Sequence, residues 1–239
     1  MTHRRTFLVT GAGRGIGRAI CERLLAEGCR VIGIGRQILQ QAPEHERFHA
    51  WPLDLGDIPL LPDALQQLGR EHQRIDGVIC NAGLGRFGAL EQFSANQVRE
   101  LIDINLTSQV LLAREFLPPM KQRGYGDLVF MGSEAALSGG RNGAVYCATK
   151  FALRGLAQSL REECSGSGVR VGIINPGMVL SGFFDELAFR PGEEDDQHLT
   201  PGDVAQALWL MLSVRRGAVI DEIDLSPQKR VIRFDKGRA

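Results

Sequence analysis

Short apolar runs alternate with longer amphipathic patterns along the whole sequence of 239 residues. Each run is rich in Val, Ile, Leu or Phe, which is typical of strands buried on both faces of a parallel sheet. The predicted strands are Phe7–Val9, Val31–Ile34, Phe48–Leu53, Gly77–Cys80, Leu128–Met131, Val169–Ile174 and Ala218–Ile223. The predicted helices are Ile16–Leu25 (ended by Gly28), Leu60–Leu68, Val98–Phe116, Tyr146–Cys164 and Val204–Leu212. Such alternation predicts an α/β fold with a doubly wound parallel sheet of about seven strands, in a single domain over residues 1–239.

Two stretches do not follow the alternation. Gln37–Glu46 is short for a full crossover helix, so we expect a turn or two of helix there. Phe183–Thr200 contains the sequence Pro-Gly-Glu-Glu-Asp-Asp and has no helical stripe in its second half. The sequence leaves open whether this stretch is a mobile loop or a lid. We expect residues 178–200 to form the substrate loop.

The charge balance argues against several classes of partner. Lys and Arg number 28, as do Asp and Glu, so a nucleic-acid partner or an acidic membrane surface is not expected. The sequence has no apolar run of the ~18–20 residues that cross a bilayer, and its N-terminal apolar stretch is too short for a signal peptide. We therefore expect a cytoplasmic protein. Five cysteines without a CxxC pair and five scattered histidines predict no metal site.

A glycine-rich segment lies directly after the first predicted strand and opens the first predicted helix. Its candidate binding residues are Thr10, Gly11, Gly13, Arg14, Gly15, Ile16 and Gly17. Glycines let backbone N–H groups approach a pyrophosphate, and the helix N-terminus adds partial positive charge. The segment therefore predicts a dinucleotide site in a Rossmann-like sheet. The alternative is a glycine-rich turn without a ligand.

The end of the second predicted strand indicates which dinucleotide is bound. Arg36 follows this strand about twenty residues beyond the glycine-rich segment, where a carboxylate would hold the ribose 2′-hydroxyl of NAD. Arginine instead binds a 2′-phosphate, and Arg14 is a second cation within reach. The cofactor prediction is NADP(H). The alternative is that Arg36 merely solvates a surface edge.

Tyr146 and Lys150 are spaced to project from one helix face on adjacent turns. A phenol with a pKa of about 10 is a poor proton donor at neutral pH. An ammonium about 4 Å away would be worth ~4 kcal/mol at an effective dielectric near 20, or ~3 pKa units. We therefore expect Lys150 to lower the pKa of Tyr146. Ser133 follows the Leu128–Met131 strand, where its hydroxyl can hold a substrate oxygen.

These motifs together resemble the short-chain dehydrogenase/reductase family. The resemblance begins at the TGxxxGxG spacing and continues in order through Asp54, Asn81-Ala82-Gly83, Asn105, Ser133, Tyr146-x-x-x-Lys150 and Pro176-Gly177. It covers nearly the whole chain and implies an oxidoreductase with Asn105, Ser133, Tyr146 and Lys150 as its catalytic set. Taken singly, each residue also has an ordinary structural explanation.

The resemblance implies further cofactor contacts. Asp54, with Leu55 beside it, would contact the adenine, and Asn81, Ala82 and Gly83 would pass close to the adenosine ribose. A structural role alone is also open for Asn81. Lys150 would hold the nicotinamide ribose, and Asn105 would anchor a water that links Lys150 to solvent. Pro176, Gly177 and Val179 would contact the carboxamide, with Ser181 standing where the family usually has threonine.

The predicted function is hydride transfer between NADP(H) and a carbonyl or secondary alcohol of a small, partly apolar substrate. Its pocket is expected to draw on residues from loops at the carboxyl edge, namely Arg86, Phe87, Ala135, Leu137, Arg141, Asn142, Met178, Phe183, Phe184 and Leu187. The sequence does not decide whether Arg141 receives an anionic group or is simply solvated.

Three other functions remain open. A 3-oxoacyl-carrier-protein-type reductase is weakened by the chain's last segment, which lacks the glycine-rich end that is usual for such enzymes. A catalytically silent NADP(H)-sensing or scaffold protein would normally have lost Tyr146 or Lys150. An epimerase or dehydratase of the extended family is disfavoured by the short chain. In this family the two long helices commonly pair across a two-fold axis, so a homodimer or homotetramer is expected.

Overall fold

The structure is a computed structural model that describes residues 4–234. Seven parallel strands form one sheet in the order β3-β2-β1-β4-β5-β6-β8. They are β1 Thr6–Thr10, β2 Arg30–Gly35, β3 Phe48–Pro52, β4 Gly77–Cys80, β5 Gly126–Met131, β6 Val169–Pro176 and β8 Glu222–Leu225. The predicted doubly wound, Rossmann-like sheet is confirmed. Residues 1–3 and 235–239 of the domain predicted over 1–239 lie outside the described part.

Helices cover both faces of this sheet. They are α1 Gly15–Ala26, α2 Ile38–Gln41, α3 Leu61–Glu71, α4 Ala95–Ile102, α5 Ser108–Gln122, α6 Ala144–Cys164 and α7 Pro201–Ser213. The α1 and α7 helices pack on one face, around Ile20 and Leu208. The α3, α5 and α6 helices pack on the other, around Leu65, Phe116 and Leu153. Because both faces are covered, the central strands β1, β4, β5 and β6 are buried along their whole length, without alternation.

Two predicted elements differ from the structure. The helix predicted over Val98–Phe116 is divided by a π-helical segment, Asp103–Thr107, which carries the buried Asn105. The strand predicted over Ala218–Ile223 begins later, at Glu222, because the backbone N–H of Ala218 closes a turn with Arg215. The turn or two of helix predicted within Gln37–Glu46 is present as α2.

A second, two-stranded antiparallel sheet lies apart from the main one. It joins β7 (Phe189–Pro191), inside the segment predicted as the substrate loop, to β9 (Ile232–Phe234) near the end of the described chain. Phe189 pairs with Phe234 in this register. The segment that the sequence left open as a mobile loop or a lid is therefore tied to the chain's C-terminal region.

The topology gathers loops at the carboxyl edge of the main sheet. The glycine-rich segment follows β1, Asn81 follows β4, Ser133 follows β5 and Gly177 follows β6. Strand order reverses between β1 and β4, and doubly wound sheets bind ligands at that crevice. Within residues 4–234, no helix has the length and apolar character needed to cross a membrane.

Candidate active site

The backbone of the glycine-rich segment adopts conformations and close approaches that residues with a Cβ atom could not make without strain. Gly11 and Gly15 have φ angles of +65° and +53°, in the left-handed region that favours glycine. A Cβ atom built at Gly17 would lie 2.1 Å from the carbonyl oxygen of Gly11. The segment therefore folds tightly against the first turn of α1, and we call it the glycine cradle; a helix N-terminus of this kind is suited to bind phosphate.

Asn81 and Thr10 brace this cradle from below. The Asn81 side-chain amide donates to the carbonyl oxygen of Thr10 at 2.9 Å. The Thr10 hydroxyl accepts from the backbone N–H groups of Asn81 and Ala82, each at 2.9 Å. These bonds join the ends of β1 and β4, so Asn81 has at least a structural role, as the sequence left open.

The predicted 2′-phosphate ligands flank the cradle. Arg36 follows β2 and is exposed, and Arg14 is exposed at the start of α1. A Cβ atom built at Gly182 would lie 3.5 Å from the Arg14 guanidinium, so this side chain leans toward the predicted substrate loop. The Asp54 carboxylate accepts from the backbone N–H of Gly56 at 2.9 Å, while Leu55 is buried in the core.

Tyr146 and Lys150 lie together on α6 and line one cavity with Ser133. Their side chains are nearly buried, with 7% and 4% of the residue exposed. The Lys150 ammonium lies 5.7 Å from the centre of the Tyr146 ring and donates to the carbonyl oxygen of Met131 at 2.9 Å. Ser133 and the Tyr146–Lys150 pair, which were predicted from two separate motifs, therefore meet at one cavity.

The pKa values of this pair do not follow the sequence-based expectation. Burial raises the pKa of Tyr146 to about 12, although its hydrogen bond with Ser133 acts in the opposite direction. Burial also lowers the pKa of Lys150 to about 8. The expected lowering of the Tyr146 pKa is therefore not what the structure gives: the pKa is raised, because burial of the phenol outweighs its hydrogen bond with Ser133.

Asn105 joins the π-helical segment to both neighbouring parts of the site. Its side-chain oxygen accepts from the backbone N–H of Leu84 at 2.7 Å, and its amide donates to the carbonyl oxygen of Leu84 at 2.9 Å. The amide also lies 3.2 Å from the Thr149 hydroxyl on α6. A Cβ atom built at Gly83 would lie 3.4 Å from the Asn105 oxygen and 3.6 Å from the Lys150 ammonium. Gly83 thus leaves a narrow space between these two groups.

One cavity of about 1070 Å³ brings most of the predicted catalytic and nicotinamide-end residues together. Among the predicted catalytic and cofactor residues, Ile16, Asn81, Gly83, Ser133, Tyr146, Lys150, Pro176, Gly177, Val179 and Ser181 line it. The other predicted cofactor residues and Asn105 do not contribute to the lining. The Ser181 side chain faces the glycine cradle, 3.5 Å from a Cβ atom built at Gly15.

The predicted substrate residues largely share this cavity. Phe87, Ala135, Arg141, Asn142, Met178, Phe183, Phe184 and Leu187 line it. Arg86 and Leu137, which were also predicted to line the pocket, are not part of the cavity wall. Arg86 instead pairs with Glu100 at 3.3 Å, and Leu137 is a partly exposed residue after a 3₁₀ turn.

Comparison with known proteins places this arrangement in a family. The model of the short chain dehydrogenase family matches residues 5–189, which include the glycine cradle, Ser133 and the Tyr146–Lys150 pair. The chain belongs to the short-chain dehydrogenase family. The resemblance seen in the motifs is thereby confirmed.

Relatives within the short-chain dehydrogenases differ in how much of their length is matched. Human 17-beta-hydroxysteroid dehydrogenase type 1 is 33% identical over 81% of this chain, and the match spans only 62% of the human protein. The NADP-dependent 3-hydroxy acid dehydrogenase YdfG of Escherichia coli K12 is 30% identical over 92% of this chain and 94% of its own. The closed form of a serine dehydrogenase complexed with NADP⁺ superposes with a TM-score of 0.81 at 27% identity, covering 92% and 94% of the two chains.

The sequence reasoning missed several residues of this short-chain dehydrogenase's cavity. Glu134, Phe189, Ile232 and Phe234 all line it. Glu134 directly follows Ser133, so its place beside the site could have been inferred from that adjacency. Ile232 and Phe234 reach the cavity only because β9 pairs with β7 across a long separation in sequence. No local pattern signals that pairing.

Proposed function

We propose that this chain is an NADP(H)-dependent oxidoreductase that transfers a hydride between the cofactor and a carbonyl or secondary alcohol of a small, partly apolar substrate. The observation that carries the proposal is the convergence of Ser133, Tyr146 and Lys150 on one cavity beside the glycine cradle. Membership of the short-chain dehydrogenase family supports the assignment of CH–OH chemistry to this geometry.

The residues around the cradle fit NADP(H). The close approach of Gly17 to Gly11, which a side chain would prevent, sets the N-terminus of α1 beside the end of β1, where a pyrophosphate would bind. Arg36 and Arg14 supply exposed guanidinium groups, and β2 ends without a carboxylate. The YdfG relative is named as NADP-dependent, and the serine dehydrogenase was solved with NADP⁺. These observations support the cofactor assignment, with Arg36 as the main ligand of the 2′-phosphate.

Side chains of this protein can supply the proton that the carbonyl oxygen takes up during reduction. NADPH supplies the hydride when bound. Because burial keeps the Tyr146 phenol protonated at neutral pH, it can donate its proton to the carbonyl oxygen of a substrate. The Ser133 hydroxyl holds the same oxygen beside the phenol. Lys150 orients the ribose end of the cofactor and supplies positive charge next to the phenol, with Asn105 fixing the helix behind it.

The direct test is turnover. Protein and NADPH are mixed with a panel of aldehydes, ketones and diketones, and nicotinamide absorbance is followed. Oxidation of NADPH by at least one member, with the alcohol recovered as product, supports the proposal. Tight NADPH binding without turnover across the panel would instead favour the NADP(H)-sensing or scaffold protein.

The cofactor assignment gives a second test. Arg36→Asp is expected to shift the ratio of kcat/KM for NADPH over NADH toward NADH by about a hundredfold. A 2′-phosphate loses a charge-assisted bond and meets a carboxylate, while the 2′-hydroxyl of NADH gains an acceptor. Steady-state kinetics with both cofactors measure the ratio.

Arg30→Asp is the matched control, because Arg30 is an exposed arginine at the opposite end of the same strand. The control is expected to leave the ratio within twofold. An unchanged ratio in Arg36→Asp would remove that residue from the phosphate site.

The 3-oxoacyl-carrier-protein reductase alternative is not favoured by a specific contact in the cavity.

A homodimer or homotetramer is proposed from exposed apolar residues on α5 and α6, Val110 and Phe151. Leu101 on α4 and Leu112 on α5 are fully buried in the core and cannot take part in such contacts.

A further inference from the structure

The cavity wall next to Tyr146 is built from aromatic rings. The Tyr146 and Phe87 rings are 5.0 Å apart between centres, and Phe87 lies 4.9 Å from Phe189. Phe189 lies 5.8 Å from Phe184, Phe184 lies 5.2 Å from Phe183, and Phe183 lies 6.1 Å from Tyr146, so the five rings form a closed circuit. Phe234 adds a sixth ring, 6.3 Å from Phe189. We call these six residues the aromatic wall.

The aromatic wall is assembled from distant parts of the chain. Five of the eleven phenylalanines in the sequence belong to it. Gly85 leaves the space for it, because a Cβ atom there would lie 2.3 Å from the Phe183 ring. Rings at such spacing stack or meet edge to face, and they offer flat apolar surface to a bound group.

β9 is bound to the segment that carries three of the six residues of the aromatic wall. Gly192 donates its backbone N–H to Val231, and Lys229 donates to Asp196. Two ion pairs add to this pairing, Lys229 with Asp196 at 2.6 Å and Arg233 with Glu193 at 3.0 Å. The end of the described chain and the segment around Phe189 therefore form one unit over the cavity.

Phe234 and Ile232 remain exposed although they line the cavity. The exposed fractions of these residues are 73% and 52%. An apolar ligand in the cavity would cover part of this surface, and that burial is favourable. Phe189, directly opposite Phe234 in the register, is only partly exposed.

The charged groups that line the cavity include two carboxylates, and one of them lies beside Ser133. Glu134 and Glu186 line the cavity, while the cations of its wall are Lys150, which belongs to the catalytic group, and Arg141. The Glu134 carboxylate also accepts a hydrogen bond from the Ser226 hydroxyl and lies 3.7 Å from Arg230. A substrate carboxylate would meet like charge on this side.

From these contacts we infer that β9 is a specificity element of the active site, with Phe234 as its specificity-determining residue for a neutral ketone or secondary alcohol bearing an aryl or alicyclic group. The inference rests on the proposed function. It places the reacting carbonyl at Tyr146 and Ser133, and the apolar group against the aromatic wall.

The test compares three ketones with NADPH: acetophenone, 2-butanone and 4-acetylbenzoate. Wild type is expected to prefer acetophenone over the other two in kcat/KM. Phe234→Ala is expected to lower kcat/KM for acetophenone by about tenfold, since an aromatic contact is lost, and to change that for 2-butanone less than twofold. The dissociation constant of NADPH is expected to stay the same in the variant.

Two variants control the result. Phe234→Trp keeps an aromatic ring and is expected to retain the preference for acetophenone. Leu210→Ala removes an exposed apolar side chain from α7, away from the cavity, and is expected to change neither ketone. Equal losses for acetophenone and 2-butanone in Phe234→Ala, or no loss, would overturn the inference, as would a wild-type preference for 4-acetylbenzoate or 2-butanone. Such results leave the proposed function standing, whereas an absence of turnover with any carbonyl overturns the proposed function itself.

Discussion

Tyr146→Phe is expected to lower kcat/KM for carbonyl reduction by about 10³-fold while leaving NADPH binding within twofold of wild type. The substitution removes one hydroxyl group from a buried side chain whose ring packs against Phe87. Because the proton for the substrate oxygen comes from this hydroxyl, the loss falls on the chemical step. Steady-state kinetics and NADPH fluorescence titration measure the two quantities separately.

The sequence offers a matched control for this experiment. It contains only two tyrosines, and the other, Tyr125, lies just before β5 with its ring 4.0 Å from the Arg216 guanidinium. Tyr125→Phe removes the same atom outside the cavity and is expected to keep full activity. Equal loss of turnover and of NADPH binding in Tyr146→Phe would contradict the assigned role, since it would indicate a damaged cofactor site.

Lys150→Met is expected to abolish measurable turnover and to change how stability depends on pH. Burial holds the pKa of Lys150 at about 8, below its ordinary value of 10.5. Below pH 8 the folded protein carries a buried ammonium, which destabilises it. Between the two pKa values the unfolded chain binds more protons than the folded protein, so stability increases with pH. Relative to Lys150→Met, the wild-type unfolding free energy should rise by up to about 1.4 kcal/mol per pH unit in this interval.

Urea denaturation of both proteins between pH 7 and 10 measures this difference. The raised pKa of Tyr146 acts above about pH 10 and is common to both proteins, so it cancels. Lys121→Met, on α5, controls for the loss of one lysine and is expected to keep its activity. A wild-type advantage that falls as the pH rises would mean that Lys150 is stabilised as an ammonium, which is opposite to the direction given by its burial.

Much of the fold and the core of the site could be predicted because they depend on local patterns. The sheet follows from apolar runs between amphipathic segments, and the cradle follows from glycines at a strand–helix junction. Tyr146 and Lys150 share a helix face at a fixed spacing. The carboxyl ends of parallel strands then bring Ser133 to the same edge.

What could not be predicted depends on distances and burial that spacing does not give. The Tyr146 pKa is raised rather than lowered because the phenol is desolvated, and the spacing of Tyr146 and Lys150 in the sequence does not give that burial. The division of the Val98–Phe116 helix depends on a π-helical turn that buries Asn105. The β7–β9 pairing joins residues more than forty positions apart, so no short window of the sequence contains both partners.

The pairing of β9 with β7 also bears on how the protein could diversify. Because β9 is held against β7 beside the cavity, substitutions within Ile232–Phe234 would change the cavity wall and leave the sequence of the glycine cradle as it is. Under the inferred role of β9, exchanging Ile232–Phe234 between homologues would be a route to new substrate preferences that leaves Ser133, Tyr146 and Lys150 unchanged.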